Sequence, residues 1–297
     1  MGKIIFLIVL VAPSFCLPFS SYGMGSKPQR PAPTRQIHRD KNPVQSPAPK
    51  PSPIVKPIPT PKQTPGDGRR VVGALYRERY AMLTAGTKLV DNHGNGFDRL
   101  YGVRNFRAVL NGVFYRGGAN NYFNKHHRRS NMNPLPTEGL TNLCEEGFGH
   151  AVYLYSTNFS SAPKSVHCRI FQGNDNTLEY LQISVLDARN QGLDQLLGLV
   201  YQHIRNPRLG PIYDHCWNGW HASGFISAIT LRQFCGFSGE QAVEYWNANT
   251  DGDHGRAFEG IRARIRSFIP NRNLALTPAE RSALCPAPNL GFLNWPT

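Results

Sequence analysis

The stretch over residues 213–236, reading YDHCWNGWHASGFISAITLRQFCG, constrains the fold more than any other part of the chain. Pro211, Ile212 and Tyr213 have the character of a buried strand end. From Ser223 onward, apolar residues recur at Phe225, Ile226, Ala228, Ile229, Leu231 and Phe234, which is a helical spacing. A short loop opens on Cys216 and closes on Ser223 at the first turn of that helix. A strand that feeds a helix through so tight a loop gathers unpaired backbone N–H groups and the positive end of the helix dipole in one place. A cysteine in that field is a candidate nucleophile for attack on an anionic centre.

The surrounding pattern supplies a sheet for this unit. Strands are expected near 108–115, 151–155, 180–186 and 211–215, alternating with helices near 137–146, 193–205, 223–235 and 239–248, with more helix near 255–269 and 277–284. An earlier helix is expected over 71–87. Such alternation predicts an α/β fold, a central mostly parallel sheet flanked by helices.

His215-Cys216-x-x-Gly219-x-x-Ala222-Ser223 resembles the signature loop of the cysteine-dependent protein tyrosine and dual-specificity phosphatases, which reads His-Cys-x-x-Gly-x-x-Arg-Ser/Thr. The run LEYLQISVLD over 178–187 resembles the strand leading to that family's general acid, with Asp187 at the acid's position, 29 residues before Cys216. Val113-Phe-Tyr-Arg-Gly-Gly-Ala119 is similar to its early Tyr-Arg-Ser-Gly turn. The likeness spans roughly residues 100–250. It implies a tyrosine/dual-specificity phosphatase-like three-layer fold. By the same resemblance Cys216 is the nucleophile, Asp187 the acid and Ser223 the hydroxyl that helps the thiolate leave. Trp217, Asn218, Gly219, Trp220, His221 and Ala222 form the phosphate cradle, and His215 orients it.

One position departs from the family: the loop arginine is Ala222. A planar guanidinium fork that grips two phosphate oxygens is lost, at a cost of about 2 to 4 kcal/mol in the transition state. His221, Arg116, or Arg128 and Arg129 of the basic loop over 124–129 are the candidate substitute cations. The reading is an exported cysteine-dependent phosphoester hydrolase of altered specificity or reduced rate. Its rival is a pseudophosphatase that binds a phosphorylated or other anionic ligand. A cysteine peptidase would need a histidine base, and after Cys216 only His221 and His254 occur. Residues 249–260 lack the glycine and glutamate of a calcium loop, and no zinc-type spacing occurs, so neither metal nor cofactor is expected.

Residues 1–23, with Lys3 before an apolar run from Ile4 to Val11, read as a secretory signal peptide, too short for a confident membrane span. The expected location is periplasmic or secreted. Residues 24–70 hold 12 of the chain's 24 prolines and a net charge of +8, leaving about +5 on residues 71–297. That composition predicts an extended disordered linker that tethers the domain to a membrane or cell wall, followed by one domain over 71–297. The chain's +14 is therefore mostly tail charge, and no basic and aromatic stripe suited to nucleic acid is present. Cys144, Cys168, Cys216, Cys235 and Cys285 remain once Cys16 leaves with the signal, an odd set that suggests two bridges and one free thiol. The resemblance makes Cys216 the free one. Of the three pairings then possible for the other four, Cys144 with Cys168 and Cys235 with Cys285 is the one expected.

Overall fold

The computed structural model describes residues 86, 88–91, 103–119, 133–170, 173–187 and 191–286. The chain divides into two units, Met1–Gln63 and Thr64–Thr297, and every described residue belongs to the second. The expected signal peptide and linker lie outside the described residues, as does nearly all of the helix expected over 71–87.

Six strands form one sheet: β1 (Arg104–Leu110), β2 (Phe114–Gly118), β3 (His150–Tyr153), β4 (Ser165–Arg169), β5 (Asp175–Gln182) and β6 (Ile212–His215). Their spatial order is β1-β2-β6-β3-β5-β4. The four inner strands, β2, β6, β3 and β5, run parallel, and the antiparallel strands β1 and β4 close the two edges. Six α-helices, with three single-turn 3-10 helices between them, complete the described fold: α1 (Thr137–Glu145), α2 (Gln191–Arg205), α3 (His221–Cys235), α4 (Gly239–Ala248), α5 (Glu259–Ser267) and α6 (Pro278–Leu284). The α/β architecture with a mostly parallel central sheet is therefore as expected.

Two strand readings are corrected. The single strand expected over 108–115 is a hairpin, because Asn111 and Gly112 turn the chain and Gly112 takes φ 77°. Strand β4, with exposed and half-buried residues in alternation, was not anticipated; an edge strand lacks the long apolar run by which the inner strands are recognised.

Alternation along each strand sorts side chains onto two cores. Ile212 and Cys216 belong to the cluster packed with α2, α3, α4 and α5, whereas Tyr213 belongs to the opposite cluster with Phe106, Tyr115, Leu140 and Phe148. Helix α3 lies within the first core, with 13 of its 15 residues buried. It ends where Gly236 adopts a left-handed conformation, φ 75°. Ser238 with Gln241, and Thr277 with Glu280, form capping boxes that start α4 and α6.

Two disulfides fasten this frame. Cys144–Cys168 joins the end of α1 to edge strand β4, and Cys235–Cys285 joins the end of α3 to the end of α6. Cys216 is free and buried, so the pairing and the free thiol are those expected.

Candidate active site

Parallel strands place their following loops together at one edge of the sheet, where ligands of such folds bind. Gly117 of β2 and Tyr153 of β3 flank His215 in register, so the chain beyond β6 emerges between these two strands. Cys216 is the first residue of that loop, with 1% of its surface exposed. Its Sγ lies 3.4 Å from Ser223 Oγ in the first turn of α3.

The loop between them is shaped by what holds its carbonyls. His215 Nδ1 donates to the Cys216 carbonyl at 3.2 Å. Ala119 N–H donates to the Trp217 carbonyl at 2.9 Å. Asn105 Nδ2 donates to the Asn218 carbonyl at 2.7 Å. Arg116 Nη2 donates to the Gly219 carbonyl and, at 3.2 Å, to the Trp220 carbonyl. In a planar trans peptide the C=O and the next N–H point opposite ways. Five successive carbonyls drawn outward therefore turn the N–H groups of residues 217 to 221 toward the space that the loop encloses. An amide-lined bowl of this kind has the chemistry to hold an anion.

Glycine is required where the bowl meets the sheet. Gly219 takes φ +77°, and a Cβ there would stand 2.6 Å from Gly118 N. A Cβ on Gly118 would in turn meet Asn218 C at 2.7 Å.

His215 is fully buried, and burial drives its pKa down to about 3 against the opposing hydrogen bond to the Cys216 carbonyl. With Nδ1 as donor, its Nε2 accepts from the Tyr180 hydroxyl at 2.6 Å, and that oxygen accepts from Leu135 N–H at 2.8 Å. Burial keeps the imidazole neutral, and both its nitrogens are anchored, one on the Cys216 carbonyl and one on the Tyr180 hydroxyl.

The side chains of the loop make contacts of their own. His221 Nε2 meets the Asp253 carbonyl at 2.7 Å, and its ring stacks on Phe258 with centroids 4.0 Å apart. Trp220 Nε1 donates to Asp251 Oδ2 at 2.9 Å. Asp251 also pairs with Lys88 at 2.5 Å and with Arg107 at 3.5 Å. Ala222 is fully buried in the apolar cluster that contains Cys216. Trp217 is 49% exposed. Arg116, expected as a substitute cation over the mouth, is fully buried beneath the loop, since its strand position faces the core. Arg128 and Arg129 lie outside the described residues.

Asp187 is half-buried in the segment after β5. Arg264 of α5 donates to the Val185 carbonyl at 3.1 Å, lies over the Phe225 ring at 4.5 Å and interacts electrostatically with Asp187. The segment that carries Asp187 is thereby held against α3.

The sequence did not single out Tyr155. Its hydroxyl hydrogen-bonds the Cys216 side chain and the Trp217 backbone, and burial first, then the Cys216 charge, push its pKa up. Asp214 was missed too. It is fully buried, both carboxylate oxygens lack a hydrogen-bond partner among the described residues, and burial raises its pKa well above the usual carboxylate range while Arg116 opposes.

No family model matches the chain, and no curated protein matches it. Among solved structures it is similar to the core catalytic domain of the PP-IP phosphatase SIW14 from S. cerevisiae in complex with citrate. That match has 14% identity and a TM-score of 0.36, and covers 56% of this chain and 86% of that one. It is also similar to P. aeruginosa TpbA, at 16% identity and TM-score 0.34, over 59% of this chain and 90% of that one. A TpbA variant in complex with pTyr matches at 14% identity and TM-score 0.30, over 59% and 96%.

Proposed function

We propose that this chain is a cysteine-dependent phosphoester hydrolase that works through a phosphocysteine. The observation that carries the reading is a free cysteine at the carboxyl edge of a parallel sheet, heading a loop whose five successive carbonyls are all drawn outward. In the first step Cys216 Sγ attacks phosphorus. The S–P bond forms, the bond to the leaving oxygen breaks, and Asp187 delivers a proton to that oxygen. In the second, water attacks phosphorus while Asp187 takes its proton. The S–P bond breaks with its electron pair returning to sulfur, and inorganic phosphate departs. Ser223, beside the sulfur, donates to the thiolate as it leaves.

Ala222 favours a second reading, a binding module that holds a phosphorylated or other anionic partner without turning it over. Rapid acid quench with a chromogenic aryl phosphate separates the two. The hydrolase gives a phosphate adduct on Cys216 by mass spectrometry, absent in Cys216→Ser. Saturable oxyanion binding with no adduct would leave only the binding role.

The place of action in this proposal is outside the cytoplasm. Two disulfides in one domain fit an oxidising compartment, and the N-terminal apolar run supports export. Secretion assays with and without residues 1–23 test this.

A further inference from the structure

We propose that Arg116 is a positioning residue for the anion bowl, acting from beneath the loop through peptide groups where a loop arginine would act by direct contact. The proposal rests on the phosphoester reading above.

Register brings the necessary groups together. Arg107 of β1, Arg116 of β2 and Asp214 of β6 are successive cross-strand neighbours, so their side chains share the sheet face that packs against α3. All three are buried, Arg116 completely. Arg116 spends its guanidinium on oxygens of the site: the Gly219 and Trp220 carbonyls, the Asn249 carbonyl at 3.5 Å and, through Nη1, the Tyr245 hydroxyl at 3.3 Å. Helix α3 comes close enough that a Cβ on Gly224 would sit 3.2 Å from Arg116 Nη2.

Burying a cation is costly, and a neutral donor would hold a carbonyl as well if holding were all that mattered. A cation bound to a carbonyl does more, because it polarises the whole peptide unit and strengthens the N–H at its other end. For Arg116 those ends are the N–H groups of Trp220 and His221, at the start of α3, where the helix dipole adds to the same field. The positive charge missing at Ala222 is thus supplied from the opposite side of the loop and delivered through amide hydrogens. Both carbonyls are met by the one nitrogen Nη2, held in place by the guanidinium plane, whereas a lysine at the same position keeps the charge as a freely rotating ammonium on a flexible stem.

The experiment measures how well orthovanadate protects Cys216 of the full chain against iodoacetamide, with thermal melting recorded for each protein. For Arg116→Gln the half-protecting vanadate concentration is expected to rise about 10-fold, and for Arg116→Lys about 3-fold, as for charged hydrogen bonds lost wholly or in part. A merely structural role would lower the melting temperature and leave protection of the folded protein unchanged. Folded variants that protect at the wild-type concentration overturn the proposal. If Arg116→Gln does not fold, Arg116→Lys decides alone. Wild-type protein without any vanadate protection overturns both this proposal and the phosphoester reading, whereas loss confined to the variants upholds both.

Discussion

Ser223 Oγ stands 3.4 Å from Cys216 Sγ, although the two belong to different elements, a loop that leaves β6 and the first turn of α3. In the proposed mechanism that contact serves the sulfur as it leaves phosphorus. Ser223→Ala is expected to leave the first, phosphorylating step near wild type and slow the second, so that an aryl phosphate gives a burst of phenol followed by a slow phase. Stopped-flow absorbance reads both amplitudes, and a single phase of unchanged rate would remove Ser223 from the mechanism.

Asp187→Asn tests the acid. Its loss should slow hydrolysis of alkyl phosphates by about 10² to 10⁴. Esters of acidic phenols, whose oxygen departs without a proton, should be spared. The measurement is kcat/KM, which reports the phosphorylating step alone, across a series of leaving groups; equal loss across the series would assign Asp187 a structural part instead.

Tyr155→Phe removes a hydroxyl bonded to the Trp217 amide, which in the proposed site would be wanted by the oxyanion. Vanadate is expected to bind about three-fold more tightly to the variant, the gain from one freed neutral donor. Weaker binding would instead make the phenol a donor to the anion.

Two buried histidines make stability fall with acid, against Asp214, whose raised pKa works the other way. Burial drives His215 to about 3 and His203 to about 4, both below the ordinary value of 6.5. In the folded chain they stay neutral, whereas in the unfolded chain they bind protons below about 6.5. Their stabilisation is thus present in full above that pH and is lost as pH falls toward the folded values, by about 1.4 kcal/mol per pH unit for each histidine. Thermal melts between pH 7 and pH 4 should show stability falling with acid, less steeply than the two histidines alone would give because Asp214, protonated in the folded chain, opposes them. His203→Gln, which lies outside the site, should make this fall shallower.

The Cys235–Cys285 bridge closes a loop of 50 residues. Replacing both cysteines with alanine should cost about 4 kcal/mol by chain entropy, read as a lower denaturant midpoint, with vanadate protection of Cys216 unchanged at 25 °C.

How much of this was legible in sequence depended on distance along the chain. The loop, its cysteine, its closing serine and the flanking strand and helix lie within a few residues of one another, and local spacing revealed them. The Asn111-Gly112 turn also had a local signal, read instead as part of one strand. The carbonyl anchors did not: Asn105, Arg116 and Ala119 lie about a hundred residues before the loop and reach it only because β2 pairs with β6. Arg116 gave one clue, a charged residue between apolar neighbours in a strand. Tyr155 gave none, since an aromatic at a strand end is ordinary core composition.

Trp217, half in water and one residue from the sulfur, makes the protein its own optical probe. Occupancy of the proposed bowl is expected to change the surroundings of that indole, read as a shift in emission colour and in quenching by iodide. Binding can then be followed in unlabelled protein, including the Cys216→Ser form, which lacks the proposed nucleophile.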